Sequence, residues 1–155
     1  TLIALGLARG VELDGLLQTD SRYRAEAWMV AHLPAGARGE VYQKPAYVPR
    51  FDRRWSVERV PARQRSIAGL RQRQPDFIVL SSASRQSIAH VWNPDWRGTR
   101  QLLAPLPEAQ RFLDALQGGE LGYSVAAHIH QSPHVLRLRI TSLAPEITIY
   151  VRDQH

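Results

Sequence analysis

Apolar residues change their spacing several times along the chain, and each change marks an element. Asp20-Ser21 offers an N-cap, and Tyr23, Ala27, Val30 and Ala31 then recur at helical spacing with Trp28 beside them. This predicts a helix through Leu33 that packs by that face and is ended by Pro34-Ala-Gly36. Residues Gly39 to Gln43 and Ser56 to Val60 read as short strands, separated by a loop with Pro45, Pro49 and the charged cluster Arg50 to Arg54. Residues Ala62 to Gln74 offer only Ile67, Ala68 and Leu70 as an apolar face, which predicts a polar helix stopped by Pro75.

The run Asp76-Phe-Ile-Val-Leu-Ser81 is different in kind, since its apolar stretch is uninterrupted. A strand that is apolar on both faces belongs at the centre of a sheet covered on both sides. From Ser82 to Pro105 no clean periodicity is found, only Trp92, Asn93-Pro94 and Trp96 among polar residues. Irregular stretches of that length are uncommon in compact domains and usually serve a function. Pro107 then opens a helix with Ala109, Phe112, Leu113 and Leu116 on one face and Gly118-Gly119 at its end. Leu121 to Ile129 and Glu146 to Val151 alternate as strands with no helix between them, which predicts antiparallel pairing. The expected fold is α/β: one domain over residues 20–155, with a mixed sheet, a central strand near 76–81, helices on both faces and an antiparallel pair toward the C-terminus.

Composition agrees with such a domain. The 155 residues, 44% hydrophobic and 22% charged, suffice for one core. No cysteine is present, which removes disulfides, thiolate metal sites and a cysteine nucleophile together. Of the 20 basic residues behind the net charge of +6, only Lys44 is lysine. Arginine forks suit phosphate, but these are scattered along the chain, which argues against a nucleic-acid surface. The apolar Thr1 to Ala8 is far short of the ~20 residues that span a bilayer. With Leu13, Leu16 and Leu17 it makes residues 1–19 a leader that reads as the last turns of a spanning helix. The sole methionine is Met29, so Thr1 reads as a cut or processed end.

Candidate chemistry is sparse. His128 and His130 are two apart on a strand and share a face, with His134 four residues on, but no Cys, Asp or Glu lies between Glu120 and Glu146, so no metal is expected. Ser81, Ser82 and Ser84 stand where α/β sheets bind ligands, yet no glycine flanks them as in a nucleophile elbow, and a turn-capping role is the reading. No glycine-rich loop opens a helix. Asp14, Asp20, Glu26, Glu40, Asp52, Asp76, Asp95, Glu108 and Asp114 could in principle supply a carboxylate pair, but their order in the chain brings no two of them together. Asp20 favours a helix start while Arg22 and Arg24 oppose it, a conflict that points to a polar contact outside the helix. No catalytic residue and no cofactor is assigned. The binding candidates are Trp92 and Trp96, able to stack on sugar, and Arg85, Arg97 and Arg100, able to meet phosphate.

Three stretches carry a resemblance. They are Thr19-Asp-Ser-Arg-Tyr-Arg-Ala-Glu-Ala-Trp28 with His32-Leu-Pro-Ala-Gly36; Tyr47-Val-Pro-Arg50 with Gln74-Pro-Asp-Phe-Ile-Val-Leu-Ser81; and Arg111-Phe-Leu-Asp-Ala-Leu116 with Gly119-Glu-Leu-Gly-Tyr123 and Pro145-Glu-Ile-Thr-Ile-Tyr150. In this order they resemble the soluble C-terminal region of bacterial polytopic glycosyltransferases related to protein O-mannosyltransferases and aminoarabinose transferases. The resemblance implies a non-catalytic domain on the extracytoplasmic, periplasmic side of the inner membrane, part of an integral membrane protein. Its partners would be the membrane-embedded part of its own chain and a lipid-linked sugar phosphate or sugar acceptor. The family's catalytic carboxylates lie in the membrane-embedded part, so none is carried onto this chain. The alternatives are an independent α/β hydrolase acting near Ser81 to Ser84 and, after it, a basic nucleic-acid module.

Overall fold

A computed structural model describes residues 20–61, 64–82, 91–92, 102–103, 107–130 and 145–153. Three helices are found there: α1 (Ser21–His32), α2 (Ile67–Arg73) and α3 (Pro107–Gln117). The strands are β1 (Arg38–Val41), β2 (Ser56–Arg59), β3 (Phe77–Ser81), β4 (Val91–Trp92), β5 (Leu102–Leu103), β6 (Tyr123–Ile129) and β7 (Ile147–Arg152). Five of them form one mixed sheet in the order β2-β1-β3-β7-β6, while β4 and β5 pair separately and antiparallel. β1 runs parallel to both β2 and β3, whereas β7 is antiparallel to β3 and to β6. The mixed sheet, its central β3 and the antiparallel β6–β7 pair are those the hydrophobic pattern predicts.

Every residue of β3 is buried, because the sheet is covered on both sides. One face presents Val41, Phe77, Val79, Ile129, Ile147 and Ile149 to Ala25, Met29 and Leu33 of α1 and its end. The other presents Ile78, Leu80, Tyr123 and Tyr150 to Leu70 of α2 and to Ala109, Phe112, Leu113 and Leu116 of α3. Burial of each Leu, Ile or Phe contributes about 1.5–3 kcal/mol, which fixes this three-layer arrangement. At the centre of the α1 face, a Cβ on Gly39 would lie 2.2 Å from Cζ of Phe77, so the ring occupies the space that any other residue would need.

The caps are where sequence and structure meet most closely. Asp20 caps α1 by accepting from the Arg22 amide at 2.9 Å. Its carboxylate also binds the Arg22 guanidinium, which donates onward to the Ala46 carbonyl. That is the polar contact the charge conflict at this helix start calls for. Ser66 caps α2 through the Gly69 amide, and Gln74 ends it in the left-handed conformation at φ 45°. α2 is therefore shorter than the helix expected from Ala62.

Two expectations are corrected. The face of α1 turned to the sheet is Ser21, Ala25 and Met29 with Leu33, while Tyr23, Ala27, Val30 and Ala31 are exposed and Trp28 is half-buried, stacked on His32. Ser21 fixes this rotation by donating to the Pro145 carbonyl at 2.5 Å, and small Ala25 lets the helix approach. The 82–105 stretch also contains regular pairing, Val91 with Leu103 and Trp92 with Leu102. Two-residue strands are too short to leave a periodic signal. No helix among the described residues is long and apolar enough to cross a membrane.

Candidate functional site

β1, β2 and β3 are parallel and so end on one edge of the sheet. The loop from β1 to β2 packs Phe51 and Trp55 on the α1 face, whereas α2, between β2 and β3, lies on the opposite face with α3. The connection from β1 to β2 thus crosses one side of the sheet and that from β2 to β3 the other. In open α/β sheets ligands bind beyond the carboxyl ends of the parallel strands.

Buried polar groups gather at this edge. Arg65 lies just past β2 and is 6% exposed. Its Nη2 donates to the Tyr42 carbonyl at the end of β1, Nε makes a long 3.5 Å contact with the Val60 carbonyl at the end of β2, and the guanidinium sits 5.5 Å from the Tyr42 ring centroid. Nη1 is buried and has no hydrogen-bond partner. No carboxylate pairs with Arg65 among the described residues, and burial lowers its pKa below the ordinary guanidinium value, with Tyr42 opposing. Ser81, the last residue of β3, is buried with its Oγ also unpartnered. Gln43, just beyond β1, is buried as well. A guanidinium taken out of water without a counter-charge costs several kcal/mol unless something compensates it.

A second polar group lies within the α2 side of the sheet and is saturated. Glu40 of β1 is buried and receives Nε of Arg73 at 2.5 Å, Nη2 of Arg73 at 3.2 Å and the Tyr42 hydroxyl at 2.7 Å. Burial drives the Tyr42 phenol far above its ordinary pKa, and the adjacent carboxylate adds to the effect. The Arg73 pKa is raised, chiefly by its hydrogen bond to Glu40. Every strong group here already has a partner, so the cluster is a clamp between β1 and α2.

The serines do not assemble a nucleophile. Ser82 Oγ accepts from the Glu146 amide at 3.2 Å, and its own amide donates to the Glu146 carbonyl at 2.8 Å, which extends the β3–β7 pairing. No hydrogen bond joins Ser81 or Ser82 to a histidine or carboxylate side chain among the described residues; Ser84 lies outside them. His128 and His130 do face the same way, with ring centroids 5.9 Å apart, and His128 Nδ1 lies 3.0 Å from Thr148 Oγ1. No group of three metal-ligating side chains occurs among the described residues, and His134 is outside them. Asp20, Glu40, Asp52 and Asp76 are each ion-paired to an arginine: Arg22, Arg73, Arg54 and Arg152 respectively.

Of the binding candidates, Trp92 lies in β4, with its backbone described and its side chain not, and Arg85, Trp96, Arg97 and Arg100 lie outside the described residues. All five follow Ser82 in sequence, the residue that extends the β3–β7 pairing at the edge holding Arg65 and Ser81. Neither Arg65 nor Tyr42 stands out in the sequence. Arg65 is one of many arginines, in a stretch whose spacing suggests helix, and only the ends of β1 and β2 make it a buried cation. No family model, no curated protein and no solved structure matches this chain.

Proposed function

We propose that this chain is a non-catalytic extracytoplasmic domain of a membrane glycosyltransferase that uses a polyprenyl-phosphate sugar, and that it positions acceptor or donor against the membrane-embedded part of its own chain. One observation carries the reading. The motif residues behind the resemblance serve as structural joints: Asp20 caps α1, Asp76 ties the Arg38 amide to Arg152, Phe112 and Leu116 fill the core, and Pro145 receives Ser21. Motifs of this kind define a shared scaffold, while the chemistry of transfer lies elsewhere in such proteins.

The reading also gives the 82–105 stretch a task, since Trp92 and Trp96 can stack on sugar faces and Arg85, Arg97 and Arg100 can pair with phosphate. In the intact parent enzyme, Trp92→Ala with Trp96→Ala should lower turnover of donor or acceptor while the domain keeps its circular-dichroism spectrum. Full activity in that double variant removes the binding role. Ester hydrolysis by the 155-residue chain, abolished in Ser82→Ala, would put the hydrolase alternative in its place.

A further inference from the structure

We infer that Arg65 is the anchor of a phosphate-binding site at the carboxyl edge of β1, β2 and β3. Two buried side-chain polar atoms without partners occur among the described residues, Arg65 Nη1 and Ser81 Oγ. Arg65 lies by Tyr42 on the α2 side of the sheet, while Ser81 follows Phe77 and Val79 toward the α1 side, so Arg65 alone anchors this site. Native interiors leave few such atoms unpaired, and each is costly. The cost is largest for Arg65, because no carboxylate among the described residues compensates its charge. Burial already depresses its pKa, although a guanidinium stays protonated in proteins and cannot escape the penalty by losing its proton.

Charge selects the kind of anion. Nε and Nη2 are engaged by the Val60 and Tyr42 carbonyls, and the guanidinium carbon lies 5.5 Å from the Tyr42 ring centroid. Nη1 keeps both its hydrogens for an oxyanion. Phosphate carries more charge at neutral pH than a single carboxylate, so it offsets more of the desolvated guanidinium, and it accepts from single donors in several directions. The position, beyond the carboxyl ends of parallel β1, β2 and β3, is where α/β sheets place ligands. The two carbonyl bonds hold the guanidinium fixed, so little side-chain entropy is lost when the anion arrives.

This site gives the phosphate of the preceding reading a place, but its test needs only the 155-residue chain, so either can fail alone. Thermal unfolding is followed in inorganic phosphate, in acetate and in chloride at equal ionic strength. Phosphate should raise Tm by about 2–4 °C over both other salts at concentrations well above its Kd, and the rise should vanish in Arg65→Gln. Equal stabilisation by acetate, no rise in the wild type, or an undiminished rise in Arg65→Gln overturns the site. Where Arg65→Gln does not fold, the Arg65 Nε–H resonance in the wild type serves instead. It should shift with phosphate and stay unmoved in chloride, and a resonance indifferent to phosphate refutes the assignment. Flotation with phosphatidylcholine vesicles, with and without polyprenyl phosphate, separates the two sources. Retention on the polyprenyl-phosphate vesicles alone, competed by inorganic phosphate and lost in Arg65→Lys, assigns the site to lipid headgroups; retention on neither vesicle leaves free phosphate as its ligand.

Discussion

Gly39 and Phe77 face each other across β1 and β3, and the Phe77 ring occupies the volume where a Cβ on Gly39 would stand, 2.2 Å from Cζ. Phe77 is fully buried and also meets Trp55 edge-on, with centroids 6.1 Å apart, so the ring has no free direction in which to move. Gly39→Ala should therefore destabilise the chain by about 1–3 kcal/mol, the usual cost of overpacking, as read by urea unfolding. Combining it with Phe77→Leu should cost less than the two single changes added together, because the smaller side chain vacates the contested volume. Strict additivity would mean that the two residues do not share that space.

Alkaline stability should report on Tyr42. Its folded-state pKa lies far above the ordinary tyrosine value because the phenol is buried and bonded to Glu40, and Tyr123 is pushed up to about 12, mainly by burial. A raised folded pKa means that the stabilisation is complete below the unfolded value near 10 and is lost as pH climbs above it, since only the unfolded chain then releases the proton. Unfolding free energy should fall from about pH 10 upward, with Tyr42 contributing a slope of about 1.4 kcal/mol per pH unit. Tyr42→Phe should flatten the slope above pH 10 by that amount and leave the slope below pH 9 unchanged, while lowering stability there by about 1–3 kcal/mol through the lost hydrogen bond to Glu40. An unaltered slope would mean that Tyr42 is accessible to solvent.

Ion pairs in this chain should differ sharply in worth. Asp76 accepts from the Arg38 amide at 2.8 Å and from Arg152 Nη2 at 2.7 Å, while both arginines also reach the Gln74 carbonyl. These contacts fasten the start of β3 to β1 and to the end of β7. Because the pair is partly exposed, solvent screening trims the effect, and Asp76→Ala should cost about 1–2 kcal/mol, most of it from the lost backbone acceptor. Asp52 and Arg54 are both exposed at 3.4 Å, and the bond that Asp52 accepts from the Arg54 amide at 2.9 Å is exposed as well, so Asp52→Ala should move the urea midpoint much less than Asp76→Ala does. Comparable losses from both substitutions would contradict this ranking.

What the sequence discloses depends on how many physical causes act on a residue at once. β3 is legible because layers on both sides demand an unbroken apolar run, and α3 because Phe112, Leu113 and Leu116 leave only one face to bury. α1 has two apolar stripes, and spacing cannot rank them. The choice is made by Ser21 reaching Pro145, 124 residues away, a contact invisible to any local window. The β4–β5 pairing is likewise non-local and two residues deep. The candidate site is hidden for the same reason: Arg65 becomes a buried cation only after β1 and β2 align their last carbonyls beneath it. Ser82 and His128, conspicuous in the sequence, hold the Glu146 amide and the Thr148 hydroxyl in the structure.

The two stripes of α1 give the sharpest test of this fold. Met29 is fully buried between Ala25, Leu33 and the isoleucines of β7, while Val30, the next residue, is 41% exposed and Tyr23 is 52% exposed. Met29→Ala opens a cavity under the helix and should cost about 2–5 kcal/mol. Val30→Ser and Tyr23→Ser remove apolar surface that faces away from the sheet, and each should change stability by no more than about 0.5 kcal/mol. Helix propensity cannot produce this contrast, since the three positions belong to one helix and the substitutes differ from one another by only a few tenths of a kcal/mol. Urea unfolding of the three variants reads the orientation directly. If Val30→Ser and Tyr23→Ser are the costly changes and Met29→Ala the mild one, α1 is rotated by roughly half a turn from the position described, and the Ser21–Pro145 bond that sets its orientation is absent in solution.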